Sequence, residues 1–577
     1  MNKTLLKSVR EYKFQSLMSP FLVILEVLME VLIPLEMAKI IDIGIAQGNM
    51  DYIIQRGIIL VIMAMLSLFF GVTAGNMAAI AGAGYAKNLR HDIFYKVQEF
   101  SFHNIDHFST SGLVTRMTTD ITNIQMAYMM SIRLLARAPI MVILSWIMTL
   151  LLNKKAALLF LIMIPILGGT LIFIAKKAHP HFIKVFDEYD VLNNSVQENV
   201  NASRVVKAFV REDFEINKFH GISQYVYDLF TKAEKIVAWN SPVMQFTMYV
   251  VILLLVSIGG KSIIQGTMET GELTSIIVYA LQIIGSLMMV TFVFVMIMIA
   301  EASAERITEV LEEIPEMQNK EQAITNVADG DIVFDHVNFS YAGEDGNLSL
   351  KDINLHIKSG QTIGIIGGTG SSKSTLVQLI PRLYDVTGGS VKVGGVDVRN
   401  YQLEALRDQV SMVLQKNVLF TGTIYDNIRW GNRNASDEEV KHVCRLAQAD
   451  GFINEFPSGY NTMIVQSGNN VSGGQKQRLC IARALLKKPK ILILDDSTSA
   501  VDTKTDALIR KAFREEIPDT TKIIIAQRIS SIEDADQIIV IDGGKIMGMG
   551  TSAELLKTNE IYREIYESQM KGDEDNE

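Results

Sequence analysis

Long apolar runs alternate with polar stretches over roughly the first 320 residues of the chain. Residues 57–86, 236–260 and 273–300 each contain no charged side chain. A helix needs about 20 apolar residues to cross the hydrocarbon core of a bilayer, so these runs predict membrane spans. Six spans are predicted, at residues 18–41, 57–82, 135–153, 156–175, 243–264 and 273–299.

Two long connections, residues 83–134 and 176–242, join span two to three and span four to five. They contain little proline, and their apolar residues recur at helical spacing, as Val196 and Val200 illustrate. We therefore expect spans two to five to continue as helical arms, with reversals near 104–112 and 211–222. Lys and Arg concentrate in these connections, which places them and both chain termini in the cytoplasm.

The character of the chain changes after Pro315. A polar linker leads into β-branched runs that alternate with helical patterns, which indicates an α/β domain with a largely parallel sheet. Strands are predicted at 332–334, 362–366, 411–414, 491–494, 522–525 and 537–541. The expected organisation is an α-helical transmembrane domain (1–315), a linker (316–330), an α/β domain (331–570) and an acidic tail (571–577).

Composition narrows the class of protein further. The chain is 49% hydrophobic and 20% charged, with a formal net charge of −9 and no dense basic stripe, so nucleic acid is not an expected partner. The only two cysteines, Cys444 and Cys480, form neither a disulfide framework nor a metal-ligand cluster. The basic N-terminus has no cleavage site and is read as an amphipathic helix on the inner membrane surface, not as a removable signal.

A phosphate-binding loop follows the strand at 362–366. It has the sequence Gly367-Gly368-Thr369-Gly370-Ser371-Ser372-Lys373-Ser374-Thr375. Its amides and the following helix N-terminus suit a polyphosphate, Lys373 reaches the outer phosphates, and Ser374 can ligate Mg²⁺. Ser372 stands where a glycine usually precedes the lysine, and its Cβ restricts the backbone.

Two further motifs share the same half of the chain. Residues 491–494 form an apolar strand that ends at Asp495, which indicates a second contact to Mg²⁺. Ser472-Gly473-Gly474-Gln475 opens a helical run about 100 residues after the phosphate loop and about 20 before Asp495. With these motifs in this order, the C-terminal half resembles the ATP-binding cassette (ABC) family. The N-terminal half resembles the six-span exporter class of that family, with runs at 116–120 and 207–212.

The resemblance implies roles for further residues. Tyr341 matches the aromatic residue that stacks on adenine, and Gln415 matches the glutamine that contacts Mg²⁺ and faces the membrane domain. Ser472, Gly473, Gly474 and Gln475 would contact ATP held by a second chain, and Ser499 and Asp502 match a loop that communicates across the dimer. ATP and Mg²⁺ are the implied cofactors, and the lipid bilayer is the implied surrounding.

Three positions depart from members of this family that hydrolyse ATP well. Asp496 stands where a glutamate orients the attacking water, and Gln527 replaces the histidine that contacts the γ-phosphate. Residues 465–468 lack the usual Gly-Glu pair. Together with Ser372, these departures resemble the degenerate-site subunit of bacterial heterodimeric exporters, whose partner carries the competent glutamate. A slow homodimer is the alternative.

Acidic and flexible apolar residues mark the first and sixth spans. Glu26 and Glu30 share one helix face. The interpretations that stay open are a cation-attracting wall of a substrate cavity, carboxylates paired with Arg133 or Arg137, or a neutral, solvated carboxyl. Met288 and Phe292 suit either a promiscuous binding surface or ordinary packing.

The expected function is ATP-driven export of drugs or other amphipathic compounds across a bacterial plasma membrane. The alternatives are a lipid, peptide or metabolite exporter, or a nucleotide-gated regulatory subunit.

Overall fold

The computed structural model describes residues 3–343, 346–496 and 501–574. The chain divides into two compact units. One comprises Met1–Glu99 and Ser109–Glu313, and the other comprises Phe100–Phe108 and Ile314–Glu577.

The described residues of the first unit form helices joined by short turns, with no strand among them. Among the described residues, six helical stretches are long and apolar enough to cross a membrane, at Thr4–Ile45, Met50–Gln98, Thr110–Leu152, Lys154–Val185, Glu212–Ile264 and Thr270–Glu312. Its α-helices, with the short α4 that belongs to the second unit, are α1 (Lys3–Leu6), α2 (Lys13–Lys39), α3 (Met50–Gln98), α4 (Phe102–Phe108), α5 (Thr110–Thr115), α6 (Ile121–Met130), α7 (Ala136–Leu152), α8 (Lys154–Asn201), α9 (Ser203–Ala208), α10 (Glu212–Val237), α11 (Asn240–Ile264) and α12 (Thr270–Glu312).

Side-chain caps fix where the long helices begin. Asn49 accepts a hydrogen bond from the Tyr52 amide at the start of α3, and Asn153 accepts from two amides at the start of α8. α3 and α8 then run for 49 and 48 residues, well beyond a bilayer, as predicted for the helical arms. The second reversal differs from expectation: the chain turns at 209–211, and Glu212 already starts α10, whose first turn carries acidic residues that favour a helix N-terminus.

Over its described residues, the second unit combines three sheets with helices. Its elements are β1 (Ile332–Phe339), β2 (Leu350–Ile357), β3 (Thr362–Ile366), α13 (Lys373–Gln378), β4 (Gly388–Val393), β5 (Val396–Asp397), α14 (Leu403–Gln409), β6 (Val410–Val413), β7 (Gly422–Thr423), α15 (Ile424–Ile428), α16 (Asp437–Leu446), α17 (Asp450–Glu455), β8 (Met463–Ile464), α18 (Gly473–Leu486), β9 (Ile491–Asp495), α19 (Thr503–Glu516), β10 (Thr521–Ile525), β11 (Gln537–Asp542), β12 (Lys545–Gly550), α20 (Ser552–Thr558) and α21 (Glu560–Glu574).

The main sheet has the strand order β12-β11-β3-β10-β9-β6 and is parallel from β11 to β6. Its apolar strands are buried on both faces by two hydrophobic clusters, as expected for a parallel sheet. A second, antiparallel sheet has the order β2-β1-β4-β5. The predicted fold class, a six-helix membrane domain fused to an α/β domain with a phosphate-binding loop, is confirmed.

Candidate functional site

The parallel strands of the main sheet bring the predicted site residues to one edge. The phosphate loop follows β3, Asp495 ends β9 with Asp496 directly after it, Gln527 lies two residues beyond β10, and Gln415 lies two residues beyond β6. Because β3, β10, β9 and β6 are neighbours in this order and run in the same direction, their carboxyl ends meet.

The phosphate loop has a conformation that restricts which residues it accepts. A Cβ on Gly367 would overlap the carbonyl oxygen of Ile541, so only glycine fits there. Gly370 has a φ of 81°, a value open to glycine. Ser372 has a φ of 74°, which is left-handed and unfavourable for a residue with a Cβ. The departure seen in the sequence therefore coincides with local backbone strain.

Lys373 lies folded over its own loop. Its Nζ donates to the carbonyl oxygens of Gly367 at 2.9 Å and Gly368 at 2.7 Å. Burial lowers the pKa of the Lys373 ammonium, and the nearby Asp496 and Asp495 carboxylates oppose that shift. The loop thus keeps a cation directly beside two acids, at the position that suits the outer phosphates.

Oxygen atoms suited to a magnesium ion lie next to this lysine. Ser374 Oγ donates to Asp495 Oδ1 at 2.9 Å, and Asp495 retains only 3% exposure. Burial raises the pKa of Asp495, while the Ser374 hydrogen bond lowers it. A hydroxyl and a carboxylate oxygen in contact are the hard ligands that Mg²⁺ prefers, so these residues fit the ion.

Asp496 is held by two glutamines. Gln527 Nε2 donates to Asp496 Oδ2 at 2.7 Å, and Gln415 Nε2 approaches the same oxygen at 3.4 Å. Burial raises the pKa of this carboxyl, and both glutamine bonds counteract that change. Asp496 also has a left-handed backbone, with a φ of 50°. The two positions that depart from the family pattern are therefore in direct contact with each other.

Tyr341 lies beside the phosphate-loop helix. Its hydroxyl is 3.0 Å from Thr375 Oγ1, and its ring packs edge-on against Tyr384. The side chain is 43% exposed, which leaves a ring surface for a ligand.

The Ser-Gly-Gly-Gln segment caps α18. The backbone N–H of Gln475 donates to Ser472 Oγ at 3.3 Å, and the backbone N–H of Ser472 donates to Gln475 Oε1 at 3.0 Å. Within the described part of the chain, no hydrogen bond joins these four residues to the phosphate loop. Asp502 caps α19 by accepting from the Thr505 amide, and Ser499 lies outside the described residues.

In the membrane unit, Arg137 contacts both acidic residues of the first span. It donates to Glu26 Oε1 at 2.6 Å and to Glu30 Oε2 at 2.6 Å. Of the interpretations left open by the sequence, the structure contains the pairing with Arg137. Met288 and Phe292 lie on α12 with 59% and 49% exposure.

Sequence reasoning missed several residues around the site. Gln477 is buried and donates to the Asp496 carbonyl oxygen at 3.4 Å, and Gln569 donates to the Gln527 carbonyl oxygen at 2.7 Å. Tyr384 donates to Asp106 of α4 at 3.0 Å, and both burial and this carboxylate raise its pKa. The sequence offered one signal that could have identified any of these residues: Gln477 lies two residues after Gln475, the end of the Ser-Gly-Gly-Gln segment.

Comparisons with known proteins agree with both halves of this description. The protein-family model described as ABC transporter transmembrane region matches residues 16–287, and the family model described as ABC transporter matches residues 350–499. The ABC transporter ATP-binding protein YfiB of Bacillus subtilis is 36% identical over 98% of both chains. The ATP-dependent lipid A-core flippase of Desulfotalea psychrophila is 32% identical over 88% of this chain and 89% of its own.

A solved structure shares the fold. A bacterial Atm1-family ABC exporter with ATP bound superimposes with a TM-score of 0.84 at 24% identity, covering 96% of this chain and 99% of its own.

Proposed function

Because the chain belongs to the ABC transporter family and joins a membrane domain of six apolar helices to an ATPase domain, we propose that it is the degenerate-site subunit of a heterodimeric exporter. Its ATPase domain binds ATP and couples hydrolysis to transport. In this proposal the chain's own site hydrolyses ATP weakly, its Ser-Gly-Gly-Gln segment completes the partner's site, and its substrates are amphipathic compounds.

The observation that carries the proposal is the contact between Asp496 and Gln527. The aspartate has one methylene fewer than the family's glutamate, and Gln527 Nε2 engages its Oδ2 at 2.7 Å. A carboxylate that is short and already hydrogen-bonded is poorly placed to take a proton from the attacking water. Misplacement of about 1 Å costs on the order of 100-fold in rate. Gln527 cannot itself titrate near neutrality, unlike a histidine.

Binding of ATP and Mg²⁺ does not require a well-placed base, whereas hydrolysis does. Lys373 would neutralise the outer phosphates, and Tyr341 offers an exposed ring face to adenine. Ser374, Asp495 and Gln415 would hold Mg²⁺, which supplies positive charge to the phosphate oxygens when bound. This chain therefore retains the means to bind ATP while lacking a well-placed base.

The intact Ser-Gly-Gly-Gln segment serves the partner's ATP. Ser472 is exposed at the N-terminus of the 14-residue helix α18. A helix N-terminus with glycine amides and a hydroxyl stabilises phosphate charge. ATP binding then biases the spans from inward-facing to outward-facing, and hydrolysis at the partner's site resets them, as a shift in populations. Both termini and the helical arms lie in the cytoplasm of a bacterial cell in this proposal.

The experiment compares matched substitutions at the two sites. We expect Asp496→Asn to change the ATPase rate of the purified transporter by less than about twofold, because the partner's site dominates turnover. Replacing the partner's catalytic glutamate by glutamine should lower the rate on the order of 100-fold. Equal losses from the two variants, or brisk hydrolysis by this chain purified alone as a homodimer, would refute the asymmetric assignment.

A second candidate substrate is a lipid. The lipid A-core flippase named above is 32% identical over most of this chain. Uptake into inverted vesicles separates the alternatives: a cationic dye tests drug export, and a fluorescent lipid tests lipid export. ATP-dependent accumulation of either against its gradient would exclude a purely regulatory subunit.

A further inference from the structure

Two carboxylates and one guanidinium meet inside the membrane unit. Arg137 on α7 donates through Nη1 to Glu26 Oε1 at 2.6 Å, and through Nη2 to the two Glu30 oxygens at 2.6 and 2.8 Å. Both glutamates lie on α2, four residues apart. We call Glu26, Glu30 and Arg137 the acidic triad, because with both carboxylates ionised it carries one more negative charge than positive.

One acceptor of the acidic triad lacks a donor. Glu26 Oε2 is buried and accepts no hydrogen bond from any described residue, and Glu26 as a whole is only 8% exposed. Leaving a buried charged acceptor without a partner is unfavourable. α3 packs closely over the Glu26 carboxylate: a Cβ on Gly71 would lie 2.8 Å from Oε1 and 3.4 Å from Oε2. The arrangement therefore suits a ligand that brings a hydrogen-bond donor and a positive charge.

Among the described residues, no neighbouring side chain supplies a hydrogen-bond donor to Glu26 Oε2. Arg133 lies against Gly75 of α3, and among the described residues it forms a hydrogen bond with neither carboxylate. Gln282 of α12 donates to the backbone oxygen of Glu30 instead, at 3.5 Å. The side chains of Glu30 and Arg137 keep 28% and 21% exposure, so a ligand reaches the acidic triad from their side, and the side chains around the buried Glu26 Oε2 must move for it to be contacted.

We propose that the acidic triad binds the protonated amine of an amphipathic substrate. An ammonium N–H donates to Glu26 Oε2, and the positive charge balances the excess carboxylate. Because the contact needs an N–H, a primary or secondary ammonium should bind better than a quaternary one of equal charge. This inference rests on the proposed export of amphipathic compounds and adds their chemical class.

The test is a binding titration without nucleotide. The assembled transporter, in nanodiscs of neutral lipid, is titrated with dansylcadaverine, a fluorescent amphiphile with a primary ammonium. Two derivatives serve as matched probes: the N-acetyl compound is neutral, and the N,N,N-trimethyl compound keeps the charge without an N–H. We expect dansylcadaverine to bind about tenfold more tightly than either, which corresponds to about 1.4 kcal/mol.

Three variants test whether Glu26 causes the preference for a primary ammonium. Glu26→Gln keeps the side-chain shape and should reduce the tenfold ratio to about one. Glu36→Gln removes a carboxylate from the same helix, where Lys39 and Arg56 surround it, and should preserve the ratio. Arg137→Gln leaves both carboxylates to the ammonium and should bind dansylcadaverine at least as tightly as the wild type, which keeps the test decisive if Glu26→Gln does not fold.

Several outcomes would overturn the inference. A ratio unchanged in Glu26→Gln, equal binding of the trimethyl derivative, or lost binding in a folded Arg137→Gln variant would each remove the amine site while leaving export of amphipathic compounds intact. Failure of all three probes to bind the wild type would overturn the inference together with the proposed class of substrate.

Discussion

Asp496 and Gln527 are the residues that should limit hydrolysis at this chain's own ATP site. Asp496→Glu lengthens the side chain by about 1.5 Å, and Gln527→His removes the amide that holds Oδ2 at 2.7 Å. We expect the double variant to raise the rate at this site by about tenfold or more, since about 1 Å of misplacement costs on the order of 100-fold. Phosphate release is measured in a transporter whose partner lacks its catalytic glutamate.

The control for this prediction lengthens the neighbouring acid. Asp495→Glu adds the same methylene at a residue that contacts Ser374, so it should disturb the metal ligands and produce no gain. A double variant as slow as the wild type would show that the chain's weakness lies elsewhere.

Ser372 offers a separate test at the residue scale. Its φ of 74° costs roughly 1–2 kcal/mol for a residue with a Cβ, whereas glycine adds about 0.4–1 kcal/mol of unfolded-state entropy. Ser372→Gly should therefore stabilise the ATPase domain by about 0.5–1 kcal/mol, measured by thermal unfolding of the whole chain without nucleotide. Ser372→Ala retains the Cβ and should give no such gain; stabilisation by alanine would contradict the strain argument.

Motif spacing made most site residues predictable one by one, but not their contacts. In the sequence, Asp496 and Gln527 are two separate departures from the pattern of the family. Their hydrogen bond exists because β9 and β10, which precede them, are paired in register. Gln569 could not be inferred at all, since its contact to Gln527 spans 42 residues.

At the scale of elements, Gly71 is a point of close approach between α3 and α2. A Cβ there would lie 2.8 Å from Glu26 Oε1, so Gly71→Ala must push the Glu26 carboxylate or separate the helices. Such overpacking typically costs about 1–3 kcal/mol. We expect a lower unfolding temperature for the detergent-solubilised transporter. Gly57→Ala lies on the same helix with nothing within 4 Å of its Cβ, and should leave the temperature unchanged or raise it. Equal behaviour of the two variants would refute the close approach.

Helices and strands with a regular pattern of apolar residues were predictable from the sequence. Strands whose apolar pattern is interrupted by polar and charged residues were not. The apolar strands at 362–366 and 491–494 appear as β3 and β9 because buried parallel strands have continuous apolar runs. β2 was missed: its burial alternates, and charged and polar residues such as Lys351 and Asn354 interrupt the pattern. The reversal expected at 211–222 is mostly helix, because nothing in that range breaks α10.

At the scale of the whole molecule, the order of motifs indicated a membrane domain followed by an ATPase domain. The grouping of Phe100–Phe108 with the second unit was beyond sequence reasoning. Tyr384 of this unit donates to Asp106 and packs near Phe102, across about 280 residues of sequence. Contacts at such separations leave no periodic trace in the chain.

The proposed asymmetric assembly predicts a large effect of substituting Ser472. If α18 serves the partner's ATP, Ser472→Ala should lower the ATPase rate of the assembled transporter on the order of 100-fold, as losing a donor to developing charge does. It should do so although Asp496→Asn, in the same chain, has little effect. The measurement is steady-state phosphate release at saturating ATP.

The control separates this catalytic role from the stability of a helix cap. Ser436 caps α16 with the same reciprocal pair of hydrogen bonds, there with Glu439, that Ser472 forms with Gln475. Both alanine substitutions should therefore cost about 1 kcal/mol of stability, but only Ser472→Ala should slow hydrolysis. A comparable loss of rate in Ser436→Ala would mean that cap stability alone explains the effect. Retained activity in Ser472→Ala would mean that this chain does not complete its partner's site.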